Sequence, residues 1–204
     1  GAAMRGPRMR AAVRRLEFQL LRHLGYEAGS DSEFEPEHLE LAFGLPGAEH
    51  PEVELEGGLR VRGKVDRVDR RGDKVAVRDY KSGRVTDYSA ANWPSKGRLQ
   101  AALYMLVTER LLGFEAVAGL YTPLSGDDRR PRGALSAAFA EQLGGDFVGG
   151  DVLSEEEFAE LREWARGAIA TAAAEMGEGV LCSKPDSCAY RGGCSHPSIC
   201  RIER

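Results

Sequence analysis

Residues 63–83 read GKVDRVDRRGDKVAVRDYKSG, two runs in which valine alternates with charge on either side of Arg70-Arg71-Gly72-Asp73. The pattern predicts two strands, 59–69 and 74–81, joined as a hairpin by that four-residue turn. Side chains alternate along a strand, so Asp79 and Lys81 share a face from which Arg78 and Tyr80 point away. Pairing Asp69 with Lys74 across the turn puts Asp66 opposite Val77, diagonal to Asp79 and on the same face. Burying two carboxylates together raises a pKa or costs on the order of several kcal/mol, so a divalent cation is the natural occupant. Oxygen-only ligands favour Mg²⁺ or Mn²⁺. Such an ion polarises a phosphoryl oxygen and lowers the pKa of water, and a lysine two residues beyond a ligand can orient or deprotonate that water. This is the chemistry of phosphodiester hydrolysis.

Outward from the hairpin, the remaining signals describe a mixed α/β domain. A basic amphipathic helix is expected over 9–24, with Val13, Leu16, Leu20 and Leu24 on its buried side and Gly25 as its stop. Short extended segments follow at 39–43 and 53–55. Trp93-Pro94-Ser95 precedes a helix over 96–112 that buries Leu99, Leu103, Leu106 and Val107, and 117–121 is an apolar strand. Gly144-Gly145 and Gly149-Gly150 read as a mobile loop. Ser154 and Glu157 form a capping box ahead of Phe158, Leu161, Trp164, Ala168 and Ile169 at helical spacing. The chain has 204 residues, of which 42% are hydrophobic, enough for one core. No apolar run approaches the roughly 18 residues of a membrane span, which excludes a membrane-spanning helix. No secretory signal is visible, so a cytoplasmic protein is expected.

The net charge of −4 hides blocks of opposite sign. Residues 1–24 carry six arginines against Glu17, residues 25–59 carry ten acidic and no basic residues, and residues 60–84 carry ten basic against four acidic, or +6. A basic strip inside an acidic domain suits a phosphate backbone. On this reading Arg84, Lys96 and Arg98 line the strand's path, and Trp93 is read as core rather than as a base-stacking ring.

The segment Gly63-x-Val65-Asp66-Arg67-x-Asp69, then Asp79-Tyr80-Lys81-Ser82-Gly83, then Gln100-x-x-x-Tyr104 resembles the RecB-type nucleases of the PD-(D/E)XK superfamily, closest to AddB C-terminal domains. The likeness touches Glu40-x-x-Phe43-Gly44 and covers most of the chain. It implies a restriction-endonuclease-like core, a mixed central sheet flanked by helices, over residues 1–181. Asp66, Asp79 and the backbone carbonyl of Tyr80 would hold the metal, Lys81 would activate water, and Gln100 and Tyr104 would stand beside the site on one helix face. It also implies single-stranded DNA as substrate and a helicase subunit or domain as partner in recombination and double-strand break repair. A catalytically silent DNA-binding or assembly module and a nuclease of CRISPR adaptation are the rival readings. The family's upstream histidine helix has no clear match. His23 reads as a surface histidine, and the core is expected to lack that helix.

All four cysteines, Cys182, Cys188, Cys194 and Cys200, fall in a tail over 182–204, each separated from the next by five residues. Cys188-Ala-Tyr190-Arg191-Gly-Gly-Cys194 resembles the end of the AddB iron–sulfur motif, which implies a structural 4Fe-4S cluster packed on the core. Structural Zn²⁺ is the alternative, although zinc sites usually contain a pair of cysteines two to four residues apart. Anaerobically purified protein is therefore expected to be brown, with about four irons per chain. Cys188→Ser and Cys194→Ser should each lose cooperative unfolding, because cluster binding is part of the folding free energy. About one zinc per chain in a colourless preparation would overturn the iron assignment, and four freely titratable thiols in a stable domain would overturn both.

Overall fold

The structure, a computed structural model, describes residues 6–180. One six-stranded mixed sheet runs in the order β1 (Glu35–Phe43), β4 (Gly63–Arg71), β5 (Lys74–Lys81), β6 (Glu115–Pro123), β7 (Arg132–Ser136) and β8 (Val152–Leu153). A small ribbon of β2 (Val53–Glu54) and β3 (Arg60–Val61) stands apart. The pairs β1–β4, β4–β5 and β6–β7 are antiparallel, whereas β5–β6 and β7–β8 are parallel. The parallel step from β5 to β6 requires a crossover, which α2 (Asn92–Lys96) and α3 (Gln100–Leu112) supply. This is a mixed α/β sheet flanked by helices, consistent with the restriction-endonuclease-like core expected.

The two faces are covered differently. Val68, Val75 and Val77 of the hairpin pack with Ala101, Met105 and Leu106 of α3 and with Phe158, Ala165 and Ile169 of α5 (Glu155–Gly177). On the other face Ala76, Val117, Ala118, Leu120 and Leu135 meet Phe34 and Leu143, the last from α4 (Ala140–Leu143). β6 is buried from Ala116 to Pro123, as a central strand covered on both sides should be. Gly119 is where α3 comes closest. A Cβ there would stand 2.7 Å from Met105 Sδ, so the missing side chain sets the helix-to-sheet distance.

Several elements depart from the sequence expectations. The helix expected over 96–112 starts only at Gln100, and Trp93-Pro94-Ser95, expected to precede it, lie inside the separate helix α2, which Gly97 ends by turning left-handed at φ +59. The strands β7 and β8 were not anticipated. The glycine stretch read as a mobile loop is pinned at Gly144, where a Cβ would lie 2.5 Å from the Ser32 amide nitrogen. The capping box is present: Ser154 Oγ accepts from the Glu157 amide, and Glu157 accepts in return from the Ser154 amide.

The first helix differs most. α1 (Pro7–Ala28) runs through Gly25 and ends at Gly29, and its expected core face is exposed at Val13, Leu16, Leu20 and Leu24. Its sole buried residue is His23, at 6% exposure, which corrects the reading of a surface histidine. The apolar stripe was legible, but a stripe does not specify a partner. The helix is held through polar groups instead, with Glu27 on Arg67 of the sheet and Arg22 on Asp127 of the segment between β6 and β7. Among the described residues no helix is long and apolar enough to cross a membrane. The cysteine tail lies outside the described residues.

Candidate active site

The hairpin turn is tighter than the sequence suggested. Arg71 pairs with Lys74 around Gly72-Asp73, with Gly72 at φ +62, the left-handed geometry of a two-residue hairpin loop. The register therefore sets Asp69 against Ala76 and Arg67 against Arg78, rather than Asp69 against Lys74. The paired register ends at Arg67 and Arg78, and beyond it Asp66 meets β5 through its side chain, at the Tyr80 amide. The shift is two residues, an even number, so within the paired residues 67–71 and 74–78 each side chain keeps its expected face.

The face toward α3 carries the expected group. Asp79 is 4% exposed, with its Oδ2 2.5 Å from Lys81 Nζ. That oxygen nevertheless has no directed hydrogen bond among the described residues. Burial pushes the Asp79 carboxyl above its ordinary pKa; Lys81 pulls it down and the charge of Asp66 raises it again. Asp66 Oδ2 accepts the Tyr80 amide at 2.8 Å, which holds one carboxylate against the strand that bears the other. Lys81 donates to Gln100 Oε1 at 2.9 Å, and Gln100 Nε2 donates to the Tyr104 hydroxyl at 3.1 Å. Five side chains named from sequence, Asp66, Asp79, Lys81, Gln100 and Tyr104, are thus drawn into one neighbourhood at the start of α3.

An aromatic wall unseen in the sequence supports the lysine. Lys81 Nζ lies 5.4 Å from the Tyr121 ring centroid and 5.8 Å from that of Tyr88. Tyr121 is buried, its hydroxyl accepts the Ala101 amide at 3.0 Å, and burial pushes its phenol up to about 12. It thereby ties β6 to the first turn of α3, the turn that presents Gln100. Trp93 is core, 1% exposed, with its indole donating to the Tyr88 carbonyl at 3.0 Å.

The opposite face holds a second polar network. Asp69, fully buried, accepts from Arg67 Nε on one oxygen and from Arg78 Nε at 2.6 Å on the other. Arg67 also donates to Glu27 at 2.6 Å and to the Tyr80 hydroxyl at 3.2 Å, and the His23 ring meets the Tyr80 ring edge-on at 5.6 Å. Burial lowers the pKa of His23, against the pull of Glu27 and with help from Arg129. The sequence signal was present: Arg67, Asp69, Arg78 and Tyr80 all lie on the face that alternation turns away from Asp79.

The donor set can be tested against a divalent ion. Two carboxylates that repel, one with a buried oxygen lacking a directed hydrogen bond, suit a hard cation. Among the described residues no group of three or more His, Cys, Asp or Glu forms a cage. An ion held here by Asp66 and Asp79 would therefore keep several waters, as Mg²⁺ does.

The sequence profile of the PD-(D/E)XK nuclease superfamily matches residues 3–201, and the chain belongs to that superfamily. Membership implies a metal-dependent hydrolytic nuclease, in a superfamily that binds DNA and typically uses Mg²⁺ or Mn²⁺. No curated protein matches the chain.

Glu27 provides a test of the rear network. Burial pushes its carboxyl up, but the hydrogen bond from Arg67 and the charges of Arg78, Arg67 and His23 prevail, so it titrates below its ordinary 4.5. A lowered acid contributes stability that is present above its unfolded pKa and is lost as pH falls through the folded one. Glu27→Gln should cost about 1–3 kcal/mol at neutral pH, the scale of a hydrogen bond to a charged group. In urea unfolding the gap between variant and parent should narrow as pH falls below 4.5 and through the folded-state pKa. A gap constant across pH would show that the Glu27 charge does not anchor α1.

Proposed function

From superfamily membership, we propose that the chain is a metal-dependent deoxyribonuclease of the RecB/AddB type that hydrolyses single-stranded DNA, with an exonuclease role in recombination and double-strand break repair beside a helicase. The observation that carries this reading is the approach of Asp66 to Asp79, the first carboxylate accepting the Tyr80 amide at 2.8 Å and the buried Asp79 oxygen lying 2.5 Å from Lys81. Asp66, Asp79 and the Tyr80 carbonyl would hold Mg²⁺ or Mn²⁺. When bound, such an ion polarises the scissile phosphoryl group and neutralises charge that develops on it.

The protein's own groups supply the rest. The Tyr80 amide orients Asp66, so that carboxylate keeps its place whether or not a cation is present. Lys81, restrained by Gln100 and the Tyr121 ring, sets a positive charge beside the two acids, where it orients the attacking water and offsets charge on the phosphorane. Tyr104 fixes the Gln100 amide by accepting from its nitrogen, which leaves the amide oxygen for Lys81. Arg84 is exposed near the site. Lys96 is paired with Asp87 at 3.1 Å and Arg98 lies 4.4 Å over the Tyr88 ring, so both reach the strand's proposed path from fixed positions. The division into a core over 1–181 and a cluster-binding tail over 182–204, holding a 4Fe-4S centre through Cys182, Cys188, Cys194 and Cys200, belongs to the same proposal and rests on the sequence.

Cleavage of a labelled single strand tests the reading. The parent should cut with Mg²⁺ or Mn²⁺ and stop with EDTA, and Asp79→Ala should be inactive. Lys81→Ala should retain DNA binding but lose about 10²-fold or more in rate, the usual scale for removing an acid–base group. An Asp79→Ala protein that cleaves at the parent rate would place the active site elsewhere.

A further inference from the structure

The segment that leaves β6 starts beside the candidate site, since the Leu124 amide donates to the Lys81 carbonyl at 2.8 Å and Ser125 Oγ donates to the Ser82 carbonyl. Between there and β7 it carries Asp127, Asp128, Arg129 and Arg130, with Arg132 opening the strand. Most of these charges are matched. Arg130 donates to Asp128 at 2.9 Å, Arg132 donates to the buried Asp151 at 2.5 Å, and Asp127 faces Arg22 of α1 at 3.4 Å.

Arg129 is the exception. It is 7% exposed, yet Nε and Nη1 are fully buried with no hydrogen-bond partner among the described residues. Of its three guanidinium nitrogens only Nη2 reaches the surface. Arg22 repels Arg129, and Asp127, the acid that attracts it, is engaged with Arg22. Arg22 adjoins His23 in α1, and the His23 ring touches that of Tyr80. A buried cation without a counter-ion is costly, because the attraction that would offset its lost hydration is missing. The cost is relieved when an anion arrives from outside.

We propose that Arg129, with Arg22 beside it, forms a phosphate-binding subsite between α1 and the β6–β7 loop, and that a strand occupying the Asp66–Asp79–Lys81 site places a backbone phosphate there. The subsite lies on the Tyr80 side of the sheet, opposite the face of Asp79 and Lys81, so a strand would reach it past the end of β5, where the β6–β7 segment leaves Lys81 and Ser82. A guanidinium suits the task because its planar fork matches two phosphoryl oxygens. The strand part of the proposal rests on the nuclease reading, whereas the subsite itself does not.

The test uses the whole chain and the variants Arg129→Met and Arg129→Gln. Thermal unfolding in inorganic phosphate is compared with chloride at matched ionic strength, and anisotropy follows a fluorescent single-stranded oligonucleotide without divalent metal. In phosphate the parent should gain melting temperature saturably, and both variants should lose that gain. In chloride Arg129→Met should melt no lower than the parent, since it removes an unpaired buried charge. Both variants should bind the oligonucleotide about tenfold more weakly, the scale of one charge-assisted hydrogen bond. Variants that melt lower in chloride and keep parent affinity would mark Arg129 as structural and overturn the proposal. So would a parent that responds equally to phosphate and chloride and loses no strand affinity on substitution. Because neither readout needs cleavage, phosphate binding through Arg129 in a protein that cuts nothing would defeat the nuclease reading and leave the subsite standing.

Discussion

Arg67 and Arg78 stand directly opposite each other on neighbouring strands, an arrangement that like charges resist. Asp69 makes it tenable. Its two oxygens take one guanidinium each, and its complete burial means that neither contact can be exchanged for water. A slip of the hairpin by one residue would carry Arg78 to the other face and leave a buried carboxylate with half its partners. The register of β4 against β5 is therefore fixed from the rear of the sheet.

What that register delivers appears on the front. With Arg67 across from Arg78, the residues that adjoin them, Asp66 and Asp79, come near enough to repel. The rear network thus stabilises an arrangement that the front face alone would oppose, leaving the pair suited to a cation. Tyr80 joins the two faces. Its hydroxyl accepts from Arg67 behind the sheet while its amide holds Asp66 at the front. α1 enters through the same network, by Glu27 on Arg67 and His23 on Tyr80, although its apolar stripe stays exposed. On the front, Tyr121 ties the sheet to the start of α3 and so sets where Gln100 meets Lys81.

Much of this was legible because period-two alternation is a strong signal. The two strands, the shared face of Asp66, Asp79 and Lys81, the stacking of Gln100 on Tyr104 and the Ser154 capping box all follow from spacing alone. The register was off by two because the turn was counted as four residues, when Gly72-Asp73 closes it by itself. That error did not matter for the faces, since it is even. β7, with the sequence Arg-Gly-Ala-Leu-Ser, carries little strand propensity and exists because β6 offers it an edge. The burial of His23 and the isolation of Arg129 depend on which surfaces meet across more than 50 residues of chain, which local pattern does not encode.

The central claim is that Asp66 and Asp79 form a pair whose repulsion a divalent cation relieves. Thermal unfolding with and without Mn²⁺, on the parent and on Asp79→Asn, tests it most directly. A ligand that binds only the folded state stabilises it by about 2.7 kcal/mol at a hundred times its dissociation constant, so the parent's melting temperature should climb with Mn²⁺. Asp79→Asn, relieved of the repulsion, should melt no lower than the metal-free parent and should not respond to Mn²⁺. A parent indifferent to Mn²⁺, or a variant that responds as the parent does, would contradict the account.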